Sequence, residues 1–256
     1  MKVASVQLDI VWQDTAKNLQ QLDKWASKAA GNGCDVIVLP ELFHSGFSMQ
    51  VGEIAQTMDG DVYRALSRSA QTHQIHVIAG FAKKLASQEK ALNCALVFDR
   101  QGNQQACYIK NHTFDFAGEG EHFQAGSQQV EFDVDGTPCS VFICYDLRFP
   151  ELFRKVVPQS EVIFVIANWP DSRQLHWEVL LQARAIENQC YVVGVNRIGE
   201  DGNGLHYSGG SMVIDPFGEV LSHAGPEQVC QMTEFPVSKV KQIRDRYPFL
   251  KDKKMQ

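Results

Sequence analysis

Three residues of complementary chemistry each stand directly after a short apolar run. Glu41 follows Val36-Ile37-Val38-Leu39-Pro40, Lys110 follows Ala106-Cys107-Tyr108-Ile109, and Cys144 follows Val141-Phe142-Ile143. Runs of this β-branched and aromatic composition read as buried strands, and α/β sheets place their sites at the carboxyl ends of strands. Pro150 suits the first turn of a helix, so Cys144 sits near a strand–helix junction, where unpaired backbone N–H groups favour a thiolate or an oxyanion. Singly, each residue has a plain structural reading: a buried small hydrophobe, a charge at a helix start, a snorkelling lysine. Together they supply a nucleophile, a base to activate it and a cation for developing negative charge. That set suits acyl transfer: the glutamate takes the thiol proton and later gives it to a leaving amine. The ammonium and a backbone N–H after the cysteine would hold the tetrahedral oxyanion.

Such residues need elements to position them. The pattern predicts strands over 2–7, 36–39, 77–81, 91–98, 106–110, 130–134, 137–144, 162–167 and 191–196, and further strands over 211–214, 220–222 and 229–235. A helix capped by Asp14 or Thr15 is predicted to about residue 30, with Leu19, Leu22, Trp25, Ala26 and Ala29 as its apolar stripe. Others are predicted over 61–73, 151–157 and 173–188, and the charged tail from 237 is read as partly helical. Asp99-Arg100-Gln101-Gly102-Asn103 reads as a hairpin turn with glycine at a positive φ. Alternating helix and strand with added hairpins points to an α/β layered fold, one domain over 1–256.

The totals narrow the function class. A chain of 256 residues can bury a large core, and no apolar stretch approaches the roughly 18 residues of a membrane span. Residues 1–7 alternate like a strand and lack a signal-peptide core. A net charge of -6 without a basic block argues against nucleic acid as a partner. Seven scattered cysteines without a Cys-x-x-Cys pair suit a reducing cytoplasm better than disulfides or zinc. His73 and His76 gain no further ligand in sequence, so neither a metal nor a cofactor is expected. The glycine-rich stretch 199–204 fits neither nucleotide-binding spacing and reads as a flexible loop bordering the site mouth.

Leu39-Pro40-Glu41, Tyr108-Ile109-Lys110-Asn111-His112 and Cys144-Tyr145-Asp146-Leu147-Arg148-Phe149-Pro150-Glu151 resemble the three signatures of the nitrilase superfamily, the carbon–nitrogen hydrolases. The resemblance continues through Ala183-Arg184-Ala185-Ile186-Glu187-Asn188-Gln189, Asn196-Arg197 and Ser211-Met212-Val213-Ile214-Asp215-Pro216-Phe217-Gly218, and so covers nearly the whole chain. It implies a four-layer αββα sandwich that dimerises by stacking layers across the interface, where the C-terminal segment 237–256 often helps. It also implies Glu41 as base, Lys110 as oxyanion and positioning cation, and Cys144 as nucleophile. Many members carry a second glutamate that orients the lysine and the substrate amide. Glu119 and Glu121 compete for that place, and the seven-residue spacing back from Gly126 favours Glu119. Asn111 and Thr113 stand where relatives often have an apolar residue and leucine, which weakens inference about substrate from that loop.

Cys144-Tyr145-Asp146-Leu147-Arg148-Phe149-Pro150 followed by Ala167-Asn168-Trp169-Pro170 resembles the omega-amidase branch, whose members hydrolyse the terminal amide of 2-oxo dicarboxylate monoamides. A short anionic amide needs a cationic clamp and aromatic walls. Phe43, Phe116 and Trp169 are the wall candidates, with Tyr145 beside the nucleophile. Arg148 reads either as a carboxylate clamp or as a buried ion pair fixing the helix after Cys144. A nitrilase proper usually carries tryptophan where Tyr145 stands. The motifs also leave room for an N-carbamoyl amidohydrolase, an amidase for deaminated glutathione or, more remotely, a non-catalytic scaffold.

Overall fold

The computed structural model describes residues 1–85 and 89–254. The first half runs β1 (Lys2–Gln7), α1 (Thr15–Gly31), β2 (Val36–Val38), α2 (Val51–Ile54), α3 (Asp61–His73), β3 (His76–Lys84), β4 (Ala91–Phe98) and β5 (Gln104–Ile109). Then come α4 (Glu119–His122), β6 (Glu131–Val134), β7 (Thr137–Ile143), α5 (Pro150–Lys155), β8 (Val162–Ala167), α6 (Gln174–Asn188) and β9 (Tyr191–Asn196). The last stretch holds β10 (Ile198–Glu200), β11 (His206–Ser208), β12 (Met212–Ile214), β13 (Val220–His223), β14 (Val229–Glu234) and α7 (Ser238–Arg246).

The strands form two six-stranded sheets, ordered β14-β1-β2-β3-β4-β5 and β13-β12-β9-β8-β7-β6. Each is built round three parallel strands, β1-β2-β3 in one and β7-β8-β9 in the other. Antiparallel strands extend both flanks of each trio. Strand alternation explains the layering. Val36 and Val38 join Ile78, Val97, Val141 and Ile143 in the core between the sheets. Ile37 and Leu39 turn the other way, onto Leu22, Trp25, Val62 and Leu66 of α1 and α3. α1 starts where Asp14 accepts from the Lys17 backbone N–H at 3.0 Å, satisfying one orphan donor of its first turn. On the second sheet Trp177, Leu181 and Ala185 of α6 and Phe153 of α5 close the outer face. The fold is therefore α/β in four layers, αββα. Each fully buried Val, Leu or Ile contributes about 1.5–3 kcal/mol to holding them together.

A clasp of charges joins the sheets at the end where the parallel trios begin. Arg100, in the β4–β5 turn, pairs with Asp35 at 3.0 Å ahead of β2 and with Asp135 at 2.5 Å in the β6–β7 turn. His76 Nε2 also meets Asp135, at 3.1 Å. The Arg100 hydrogen bond, outweighing burial, holds the Asp135 carboxyl down at about 2. The same turn carries Gly102 at φ +81°, as its sequence predicts. α7 is fastened by Arg244, which donates to the carbonyls of Ser160, Asn188 and Gln189.

One departure from prediction concerns 199–204, which belongs to a two-stranded hairpin of β10 and β11 rather than to a flexible loop. Asp201 fixes its turn by accepting from the N–H groups of Asn203 and Leu205 and from the Tyr207 hydroxyl.

At the opposite end from the clasp, the chain leaving β2 passes directly over β3. A Cβ on Gly80 would collide with the backbone at Glu41 and Leu42. Because the obstacle is backbone, Gly80→Ala is expected to destabilise the fold by about 1–3 kcal/mol, as overpacking does. Urea unfolding measures this. An unchanged midpoint would mean that residues 40–42 can move aside.

Candidate active site

Each candidate residue is delivered by a strand end. Glu41 follows β2 and is followed by Leu42 at φ +44°, so the chain turns sharply just past the carboxylate. Lys110 follows β5, its backbone N–H donating to Asn93 at 2.9 Å and its carbonyl accepting from Gly126 at 2.8 Å. Cys144 follows β7 and opens a 3-10 turn, Cys144–Arg148, at φ +45°. Asp146, fully buried in that turn, accepts from the Tyr108 hydroxyl at 2.8 Å, the His112 N–H at 2.9 Å and the Ile143 N–H at 3.2 Å. It thereby bolts the turn carrying the thiol to the strand carrying the lysine.

Lys110 is buried between two carboxylates. Its Nζ lies 2.8 Å from Glu41 Oε1 and 2.8 Å and 3.0 Å from the two oxygens of Glu119. Burial by itself would lower the lysine pKa, but Glu119 and then Glu41 outweigh it and hold it above the ordinary value. Asn93 bridges the same carboxylates, donating to Glu41 at 2.8 Å and Glu119 at 2.9 Å. The second oxygen of Glu41 accepts from the Asn168 N–H at 2.9 Å, and that of Glu119 from the Phe114 N–H at 2.6 Å. Glu121, the competitor, is exposed, whereas Glu119 is buried. Burial and then Glu41 push the Cys144 thiol well above its usual range, against the opposing pull of Lys110. A thiol so placed rests protonated at neutral pH and needs a base as it attacks.

Lys110 and Cys144 face a cavity of about 200 Å³, room for a small molecule. Tyr145, Arg148 and Trp169 line it, as their sequence positions suggest. Phe43 does not: it is fully buried in the core between the first sheet and its helices, because the chain turns inward after Leu42. Phe47, four residues on, takes its place in the wall, 5.2 Å from Lys110 Nζ to ring centroid. Phe116 does not line this cavity either. It is 91% exposed on the short 3-10 turn Asp115–Ala117, while the bond from the Phe114 N–H to Glu119 helps hold that ring in the wall instead. Leu205 and Tyr207 of the β10–β11 hairpin complete one side.

Arg148 makes no ion pair among the described residues. Its guanidinium lies 4.9 Å from the Trp169 ring centroid and 3.1 Å from His176 Nδ1. The turn after Cys144 is fixed otherwise, by Arg184 donating to the Leu147 carbonyl at 2.7 Å and 3.2 Å. His73 and His76 are drawn apart, onto Asp23 and Asp135, and no group of three or more His, Cys, Asp or Glu able to hold a metal occurs among the described residues.

Sequence reasoning missed Asn93, Asp146, Asn168 and Arg173. Asn168 stands at the end of β8, where the rule that singled out Glu41, Lys110 and Cys144 applies equally. Asn93 is a polar residue inside the apolar run Ala91-Leu92-Asn93-Cys94-Ala95, a position that demands a buried partner.

The fold and sequence find the same company. Residues 2–245 match the model of the carbon-nitrogen hydrolase family. The chain is 37% identical to the omega-amidase YafV of Escherichia coli strain K12, covering 98% of this chain and 96% of that one. It is 32% identical to the 2-oxoglutaramate amidase of Bacillus subtilis strain 168 over the same shares. Among solved structures, a CN-hydrolase superfamily protein of Xanthomonas campestris with an arsenic adduct in its active site superposes with a TM-score of 0.94. It is 31% identical, over 100% of this chain and 98% of that one. A buried Glu–Lys–Glu cluster beside a thiol, on two sheets with these relatives, leads to one assignment: the chain belongs to the carbon–nitrogen hydrolase family and is a hydrolase of non-peptide carbon–nitrogen bonds.

Proposed function

We propose that the protein is an omega-amidase, hydrolysing the terminal amide of 2-oxo dicarboxylate monoamides such as 2-oxoglutaramate and 2-oxosuccinamate to the 2-oxo acid and ammonia. The observation that carries this reading is the charge of the cavity. Arg148 and Arg173 line it, and among the described residues no carboxylate does. The names of the Escherichia coli and Bacillus subtilis relatives support it.

In this mechanism Glu41 takes the Cys144 proton as sulfur attacks the amide carbon. The oxyanion is held by the Lys110 ammonium and the backbone N–H after Cys144. Collapse of the tetrahedral adduct breaks the C–N bond, Glu41 returns its proton to the leaving nitrogen, and a thioester remains on Cys144. A water molecule deprotonated by Glu41 then attacks the thioester, and the acid departs as the thiol regains its proton. Glu119 keeps Lys110 in place, while Arg148 receives the substrate carboxylate.

The same reading places the enzyme in the cytoplasm, in keeping with seven cysteines that form no disulfide. It takes 1–256 as one domain acting as a homodimer. Val179 and Ile186 on α6, Phe217 and Phe249 are exposed apolar residues that a second copy would cover, beside the C-terminal segment. Light scattering on the purified chain should return twice the chain mass, and Ile186→Asp should halve it. A monomeric wild type would exclude the dimer.

Mass spectrometry of quenched wild-type enzyme turning over 2-oxoglutaramate, with peptide mapping, should detect an acyl adduct on Cys144. Adduct at another cysteine, or full activity in Cys144→Ala, would refute the mechanism. Lys110→Ala should lose about 2.7–4 kcal/mol of transition-state stabilisation, the loss typical of an oxyanion donor. A tenfold change or less would make the lysine a binding residue only. Ammonia release measured across 2-oxoglutaramate, 2-oxosuccinamate, N-carbamoyl amino acids and simple nitriles tests the substrate class. Preference for the carbamoyl series would overturn it.

A further inference from the structure

Three other arginines of this protein are satisfied at close range. Arg100 holds Asp35 and Asp135, Arg184 holds Glu187 and the Leu147 carbonyl, and Arg244 holds backbone carbonyls. Arg148 and Arg173 differ: both reach the cavity, and neither makes an ion pair among the described residues. Each has an aromatic ring beneath its guanidinium, Trp169 at 4.9 Å for Arg148 and Phe114 at 5.4 Å for Arg173. Stacking on a ring uses the flat face of a guanidinium and leaves its N–H edge free for a planar anion.

The two arginines are also tied to one frame. Trp169, under Arg148, donates its indole N–H to the Arg173 carbonyl at 2.8 Å. His176, one turn into α6, lies 3.1 Å from Arg148 through Nδ1. A guanidinium has only donors to offer. In this hydrogen bond His176 Nδ1 is therefore the acceptor. It thereby occupies one N–H of Arg148.

We propose that Arg148 and Arg173 together form the subsite for the carboxylate end of the substrate, with Arg173 as a specificity-determining residue and His176 as the positioning residue that presents Arg148. The proposal rests on the amide-hydrolase reading and deepens it. Lys110 cannot serve this purpose, because two glutamates already enclose its charge. Among the described residues the two arginines are the remaining cations of the cavity, and they line it together with Cys144.

The test compares succinamate with butanamide, an uncharged amide of the same carbon chain length, using the full-length enzyme. The quantity read is the ratio of the two kcat/KM values. Arg173→Gln should lower that ratio by at least about tenfold, the loss of one charge-assisted hydrogen bond, through KM for succinamate rather than kcat. His176→Leu should lower it through the same KM, and His176→Gln, which keeps an acceptor, should restore most of it. A ratio within twofold of wild type in Arg173→Gln would overturn the subsite. Equal losses on both amides would show a structural role only and would overturn it too. Should a variant prove unstable, the inhibition constant of succinate against wild-type butanamide hydrolysis gives the independent reading, and inhibition no stronger than by butyrate would also overturn it. Wild-type enzyme that cleaves neither amide fails the functional reading itself, a result distinct from all of these.

Discussion

Burying an ammonium away from water costs several kcal/mol, and the cost is recovered only where opposite charge and hydrogen bonds surround it closely. Lys110 meets that condition because Glu41 and Glu119 approach from two sides and Asn93 holds both of them at their distances. The rest of the site inherits its geometry from this cluster. Glu41 cannot rotate without breaking bonds to Lys110, Asn93 and Asn168, and Glu119 cannot leave without freeing the Phe114 backbone. Removing Lys110 would strand two buried carboxylates, typically at a cost of about 3–5 kcal/mol. The arrangement is therefore held by mutual necessity rather than by the strength of any single bond.

The architecture makes such a cluster attainable. Two sheets, each with a parallel trio at its centre, pack face to face so that the ends of β2 and β5 from one meet the ends of β7 and β8 from the other. A residue just past a buried strand keeps the strand's precision while its side chain is released from pairing. Asp146 and Tyr108 tie the two sheets together on the site side, and Arg100 with Asp35 and Asp135 does so at the far end. The sheets are thus pinned at both ends of their shared core, and thiol and lysine, borne by different sheets, stay in register.

Much of this was legible from pattern alone, for physical reasons. α3, β4, β8 and β9 coincide with their predicted limits because long, strongly patterned segments leave little choice of period or boundary. The residues at strand ends were legible because strand identity implies where a chain exits. Wall residues were less so: Phe43 and Phe47 differ in sequence by four positions, and only the sharp turn at Leu42 decides which of them points to the cavity. Phe114 and Phe116 were separated in the same way, by the short 3-10 turn and a bond from the Phe114 N–H to Glu119. The β10–β11 hairpin escaped because three-residue strands between glycines carry too little alternation to register. Backbone turns and hydrogen bonds between distant segments leave no periodic trace.

Cys144 adopts a backbone conformation, φ +45°, that an ordinary side chain enters at a cost of about 1–2 kcal/mol. Glycine would carry no such cost. The chain thus keeps at this position a residue that its own fold disfavours. Mutational drift at residue 144 would run toward greater stability and away from the thiol, and only selection for chemistry opposes it. The strand–helix junction is where the protein's resistance to unfolding and its usefulness pull in opposite directions, concentrated in one dihedral angle.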